Sequence, residues 1–324
     1  MIMQPTLARS AFLESLPMDG LTASQHIPGR RYTSATSIAP RRAALESVAG
    51  LAALAILMLA TGCSLDHLRT PERLEKGLVV ILPGIEGRSI LNESLARGLA
   101  DGGVECGIEI FDWGTPIPGG LLINLADYER NKVVAQRLNN RIISYRAQHP
   151  HAPLHIVGHS GGGGLAIMAV ERLPENVQVS TVVLLAPAIS PHYDLRNALR
   201  RTTFGIFNYY SELDAVFLRA GTTVAGTIDR RHGQSAGAVG FQKPADDSSE
   251  AAALYRKLHQ VPYSADMRWA GHFGGHTDWT HPTFVKAYLA PLITELSGPP
   301  ILADDGNAAL PRSLGRVAAT DPSP

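Results

Sequence analysis

Ser160 is followed by four glycines, Gly161 to Gly164, and preceded by the apolar run "LHIVGH". Glycine inside an element loses more conformational freedom than any other residue, so a chain that sets four in a row has a use for bare backbone there. The run before Ser160 reads as a β-strand and "GGGLAIMAVERLP" after it as a helix, so the serine is expected on a sharp strand-to-helix turn. On such a turn a hydroxyl is presented for attack on a carbonyl. Gly158 and Gly162 keep the flanks clear of side chains, and the Gly161 N–H, at a helix N-terminus, can face a developing oxyanion. A Gly-rich loop of this kind could instead cradle a phosphate. Against that, it lacks the Lys-Ser/Thr pair of a P-loop and falls on the third strand of the series rather than the first.

A second group of chemical side chains lies near the end, in "WAGHFGGHTDWTHP", which holds His272, His276, Asp278 and His281. These residues could ligate a metal if two histidines shared one helix face, but Gly274 and Gly275 between the first pair oppose a helix. No metal is therefore expected, and acyl transfer to a serine requires no organic cofactor.

The elements that must position these residues alternate in kind from Gly77 onward. "GLVVILPG", "VECGIEIFDW", "LHIVGHS", "VSTVVLLAPAI", "FGIFNYYSELD" and "SADMRWAG" read as strands. "SILNESLARGLADGG", "DYERNKVVAQRLNNRIISYRAQHP" and the closing "TFVKAYLAPLITEL" have helical spacing. Nearly continuous apolar strands separated by helices predict an α/β protein with a mostly parallel sheet covered on both faces.

With the turn at Ser160 and this alternation in view, residues 77–296 resemble the α/β-hydrolase superfamily. The resemblance implies a nucleophile, an acid and a histidine in that chain order. Asp214 in "GIFNYYSELDAVF" is similar to the family's acid, with Ser211 where glycine is common; Asp194, in the loop after "LLAPAIS", is the alternative acid. His276 is the expected base and His272 the alternative, while His281, just before Pro282, looks like a helix-start residue. "ILPGIEGRS" resembles the loop that supplies a second oxyanion N–H, here that of Ile85 after Gly84. Glu86 is unusual so near an oxyanion, and is expected to point to solvent or to cap the helix that starts near Ser89.

The composition is that of a globular protein: 324 residues, 45% hydrophobic and 18% charged, with Lys+Arg and Asp+Glu balanced at 29 each. That balance gives no electrostatic reason to expect nucleic acid as a partner. Of the two cysteines, Cys106 lies in a strand-like run and reads as a small buried hydrophobe. Cys63 ends "RRAALESVAGLAALAILMLATGC", where Arg41 and Arg42 precede an apolar run from Val48 to Ala60 and then small residues. The run is shorter than the ~18 residues of a membrane span and has the order of an export signal. "LATGC" resembles the bacterial lipobox, with Ala60 where leucine is usual. The resemblance implies lipidation of Cys63 and an exported, membrane-anchored protein of the cell envelope, with Ser64 compatible with outer-membrane sorting. Residues 1–40 fit no such scheme, and Met18 offers a later start.

The expected organisation is thus residues 1–63 as extension and signal, 64–76 as tether, 77–296 as the hydrolase domain and 297–324 as a disordered tail. Only about 15 residues separate the fourth and fifth apolar strands, too few for a cap domain, which predicts an open site. Two segments could wall it, "GTPIPGGLLINLADY" and "GTTVAGTIDRRHGQSAGAVGFQ". The expected function is hydrolysis of a small-molecule or lipid ester through an acyl-enzyme. An acyltransferase or peptidase on the same residues, and a non-catalytic hydrolase-like binding protein of the envelope, are the alternatives.

Overall fold

The computed structural model describes residues 65–115, 120–214, 227–231, 233–245, 248–298, 311 and 313, all within one compact unit, Cys63–Pro324. Cys63, the segments before it and most of the expected tail lie outside the described residues. The stretch expected as a tether is folded: Leu65–Leu68 forms a 3-10 turn whose two leucines are buried, and α1 (Pro71–Lys76) follows, with Pro71 at its first position and the Thr70 hydroxyl accepting the Arg73 N–H.

The core is a parallel sheet of six strands in the order β2-β1-β3-β4-β5-β6. These are β1 (Leu78–Leu82), β2 (Gly107–Ile110), β3 (Leu154–His159), β4 (Val179–Leu185), β5 (Thr202–Tyr210) and β6 (Leu258–Pro262). Every residue of β1, β3 and β4 is buried, which is why these strands read as unbroken apolar runs rather than as alternating ones. Leu78, Val80 and Leu82 face one core with α4 (Tyr128–Gln148) and α5 (Gly161–Val170). Val79 and Ile81 face the other, with α2 (Ile90–Asp101) and the closing helix. Shorter helices complete the coverage: α3 (Gly120–Ala126), α6 (Arg196–Arg200), α7 (Ala236–Val239) and α8 (Ser249–Tyr255). The closing helix, α9, runs through Pro282–Phe284, Val285–Leu289 and Ala290–Leu296, its middle turn widened to π geometry just ahead of Pro291, which has no N–H to donate.

The last strand is not where the sequence pattern puts it. "SADMRWAG" forms a 3-10 turn over Ala265–Ala270, and the strand is the preceding Leu258–Pro262, paired on one side only, with β5. As an edge strand it buries only Val261, so its apolar signal is diluted by the exposed Gln260 and the half-exposed Leu258 and His259.

In a parallel sheet all strands end on one edge, and the loops leaving that edge meet there. Ser160 follows β3, Ile85 follows β1, Asp214 follows β5 and His276 lies on the chain that follows β6.

Candidate active site

Ser160 has φ 53° and ψ −121°, a region that a non-glycine residue adopts at a cost of about 1–3 kcal/mol and only where its surroundings over-determine it. They do so here. The Ser160 N–H donates to the Leu185 carbonyl at 2.9 Å, while its own carbonyl accepts from Gly163 at 3.0 Å and from Ala188 at 2.9 Å. The glycines are required by close approach. A Cβ on Gly158 would lie 2.6 Å from the Gly162 oxygen, and one on Gly162 would strike the carbonyl oxygens of Leu82 and Pro83. The helix thus enters between the ends of β1 and β3 with no room for a side chain.

Next to Gly161 stands Ile85, whose Cγ2 is 2.7 Å from where a Gly161 Cβ would be. Among the described residues neither the Gly161 nor the Ile85 backbone N–H has an acceptor. The Ile85 carbonyl, in the peptide that follows, is held by Asn124, buried in α3, whose Nδ2 donates to it at 2.7 Å. Asn124 is itself fixed by the Thr115 hydroxyl at 2.7 Å, and its carbonyl accepts from Asn131 Nδ2 at 2.9 Å. On the same loop the Trp113 indole donates to the Pro83 carbonyl at 2.8 Å.

His276 Nδ1 lies 2.7 Å from Asp214 Oδ2, with both residues buried. An ionised carboxylate there accepts the Nδ1 proton and leaves Nε2 unprotonated, the tautomer a general base needs. The two loops are tied to each other, since the Ser211 hydroxyl donates to the Gly274 carbonyl at 2.9 Å. They are also tied to the turn that carries Ser160: His159 Nε2 donates to the His276 carbonyl at 3.0 Å, and the two imidazole rings are 4.9 Å apart. Burial holds His159 at a pKa of about 3, reinforced by the nearby His276 charge, so His159 is neutral and suited to donate.

His272, the alternative base, is fully buried among Tyr263, Trp279 and Phe284. Its Nδ1 accepts the Gly274 N–H at 2.9 Å, and burial lowers its pKa to about 4 against the opposing pull of Asp278. Asp194, the alternative acid, is paired at the surface with Arg196 at 2.6 Å, and that partner holds its carboxyl below the usual range. Asp278 instead accepts the Phe273 and Gly275 N–H groups at 3.0 and 2.9 Å, shaping the base loop. Among the described residues no group of three or more His, Cys, Asp or Glu side chains is placed to hold a metal ion. His281 directly precedes α9.

Glu86 does not cap α2. That role belongs to Ser89, which accepts the Leu91 N–H while Asn92 accepts the Ser89 N–H. Although Glu86 as a residue is exposed, its carboxylate turns inward and accepts the Gly84 N–H at 3.2 Å. Desolvation raises its pKa, opposed by backbone hydrogen bonds and by the charge of His276. A carboxylate therefore sits within electrostatic reach of the base. His159, Asn124 and Ser211 were not singled out for these roles by sequence reasoning. The available signals were a histidine at the end of a buried strand and an asparagine within the apolar "LLINLA".

The sequence model of the α/β hydrolase fold matches residues 77–239, half of the chain, and the protein belongs to that family. Membership supports a hydrolytic function. Solved structures similar to this chain include the esterase PE8, 17% identical over 58% of this chain and 84% of that chain with a TM-score of 0.35. A dienelactone hydrolase from Anabaena variabilis is 18% identical over 68% and 85%, with a TM-score of 0.38. Lipase B of Aspergillus fumigatus is 11% identical over 71% and 55%, with a TM-score of 0.41. Likeness of this extent says nothing of substrate. Among curated proteins none matches.

Proposed function

We propose that the protein is a serine hydrolase that cleaves carboxylic esters through an acyl-enzyme. The observation that carries this reading is the His276–Asp214 pair at 2.7 Å, on the same sheet edge as a serine in a strained, over-determined turn. His276 Nε2 takes the Ser160 proton as Oγ attacks the ester carbonyl, and Asp214 orients the ring and stabilises the imidazolium. The Gly161 and Ile85 N–H groups receive the oxyanion. The imidazolium then protonates the leaving alcohol, and water, activated by the same ring, releases the acid. Only α6, five residues long, lies between β4 and β5, so no large cap domain is inserted there, and lipid esters are the favoured class in keeping with the envelope anchor proposed next.

Cys63 is the proposed site of lipidation, so that the domain works at a membrane of the cell envelope. Hydrolysis of p-nitrophenyl esters of increasing chain length tests the activity. Ser160→Ala is expected to lower kcat by about 10⁴-fold or more, and retention of activity in that variant would end the reading. Incorporation of labelled palmitate that is lost in Cys63→Ser tests the anchor.

A further inference from the structure

Arg130, half-buried in the first turn of α4, holds a costly position. Burial takes hydration from its guanidinium, and Nη1 is buried without a hydrogen-bond partner among the described residues. An unmet buried donor on a charged group opposes folding, so packing alone would be served better by an uncharged side chain.

What Arg130 does reach is Trp113. Its Nη2 donates to the Trp113 carbonyl at 2.5 Å, and its guanidinium carbon lies 5.8 Å from the centre of the indole, within cation–π range. Its own backbone is fixed by Asp127, whose carboxylate accepts the Arg130 N–H at 3.0 Å.

Trp113 in turn touches both segments that flank the proposed oxyanion position. Its indole N–H donates at 2.8 Å to the carbonyl of Pro83, on the loop that carries Ile85. Its ring lies against Gly161, with Cζ2 and Cη2 3.5 Å from where a Gly161 Cβ would stand. The loop around Trp113 is also packed main chain to main chain on the loop after β1. A Cβ on Gly87 would lie 2.9 Å from Gly114 Cα, and Asp112 Oδ1 accepts the Arg88 and Gly114 N–H groups at 3.1 and 3.0 Å. Asn131, next to Arg130 in α4, reaches the same place by a separate route, through Asn124 to the Ile85 carbonyl.

We propose that Arg130 is a positioning residue for the hydrolysis, fixing Trp113 so that Gly161 and the chain from Pro83 to Ile85 keep the spacing a developing oxyanion needs. This rests on the proposed reading of Ser160 as nucleophile and of the Gly161 and Ile85 N–H groups as oxyanion donors. A role of that kind acts on the transition state rather than on substrate binding, so its loss is read in kcat.

Two measurements on the full-length protein test the assignment: hydrolysis of p-nitrophenyl acetate, and hydrogen exchange followed by mass spectrometry. The variants are Arg130→Met, Arg130→Lys, Trp113→Leu and the double variant Arg130→Met/Trp113→Leu. Arg130→Met is expected to lower kcat about five- to tenfold with KM nearly unchanged, less than the ~10²–10³ lost with an oxyanion donor itself. Arg130→Lys, which keeps a cation and a donor but not the planar fork, should recover part of the loss. In the Trp113→Leu background Arg130→Met should cost under about twofold, because the ring through which it acts is gone. If Trp113→Leu fails to fold, Trp113→Phe takes its place, and the loss from Arg130→Met should be smaller there than in wild type. Amide exchange over residues 83–88 and 158–165 should speed up in Arg130→Met, and exchange over 272–278 should not. Losses that multiply in the double variant, or a change confined to KM, would overturn the assignment. So would unchanged exchange over 83–88 and 158–165, whether or not the wild type hydrolyses the ester. Faster exchange there in a protein that hydrolyses no ester removes the hydrolase reading alone and leaves the brace through Trp113 standing.

Discussion

His159, the residue immediately before Ser160, donates from Nε2 to the backbone carbonyl of His276 at 3.0 Å. The turn that carries Ser160 thereby holds the main chain of His276, and this buried hydrogen bond helps set the proposed nucleophile and base relative to each other. Misplacing a reacting group by about 1 Å can cost about 10²-fold in rate. His159→Ala is accordingly expected to lower kcat by about 10- to 100-fold with little change in KM. His159→Gln, which retains a donor of similar reach, should recover part of the loss. Steady-state kinetics beside thermal melts separate this from simple destabilisation: a variant with wild-type kcat would show that the bond does not position the base.

Asn124 bears on the other side of the proposed reaction. Its bond to the Ile85 carbonyl at 2.7 Å fixes the chain immediately after the peptide whose N–H, that of Ile85, is the proposed second oxyanion donor. Loss of one oxyanion donor typically costs about 10²–10³ in kcat. Asn124→Ala, which loosens the donor without deleting it, is expected to lower kcat by about tenfold or more. Binding of a phosphonate transition-state mimic should weaken in parallel with kcat while substrate KM changes little.

Three buried histidines make stability depend on pH. Burial lowers His155 and His159 to about 3 and His272 to about 4, whereas an unfolded histidine titrates near 6.5. As pH falls below that value the unfolded chain takes up protons that the native state refuses, so stability drops. Above about pH 7 these groups contribute no slope. Each can contribute up to about 1.4 kcal/mol per pH unit between its unfolded and folded pKa. Denaturant midpoints measured from pH 8 to pH 5 should be flat and then fall, with a shallower fall in His155→Gln. A midpoint that stays level down to pH 5 would contradict the burial of these rings.

The strand-to-helix turn at Ser160 was legible because its steric demands are local. A strand end, a serine and glycines on either side leave few other structures open to the backbone. The parallel sheet was legible through the buried runs of β1, β3 and β4. Where burial was one-sided the pattern failed, so the edge strand Leu258–Pro262 was missed and the apolar residues of "SADMRWAG" stood in for it, two of which, Met267 and Ala270, are indeed buried but in a 3-10 turn. The segment 64–76 read as a tether because its polar residues outnumber its apolar ones, yet from Leu65 onward it is folded, with Leu65 and Leu68 buried and Arg69 and Lys76 paired with Glu109 and Glu105. The choice between His272 and His276 could not be made from spacing. It depends on which ring the fold packs among Tyr263, Trp279 and Phe284 and which it turns toward Asp214. Asn124, His159 and Ser211 act through backbone atoms far away in sequence, and no motif encodes such contacts.

The central claim, that Ser160 is activated by His276 and Asp214, is tested most directly by a fluorophosphonate probe on the full-length protein with mass-spectrometric mapping of the adduct. The account predicts one adduct, on Ser160, formed much more slowly in Asp214→Asn, not formed in His276→Ala, and formed at near wild-type rate in a folded His272→Gln. Folded wild-type protein that forms no adduct, or labelling that survives in His276→Ala and is lost in His272→Gln, would contradict it.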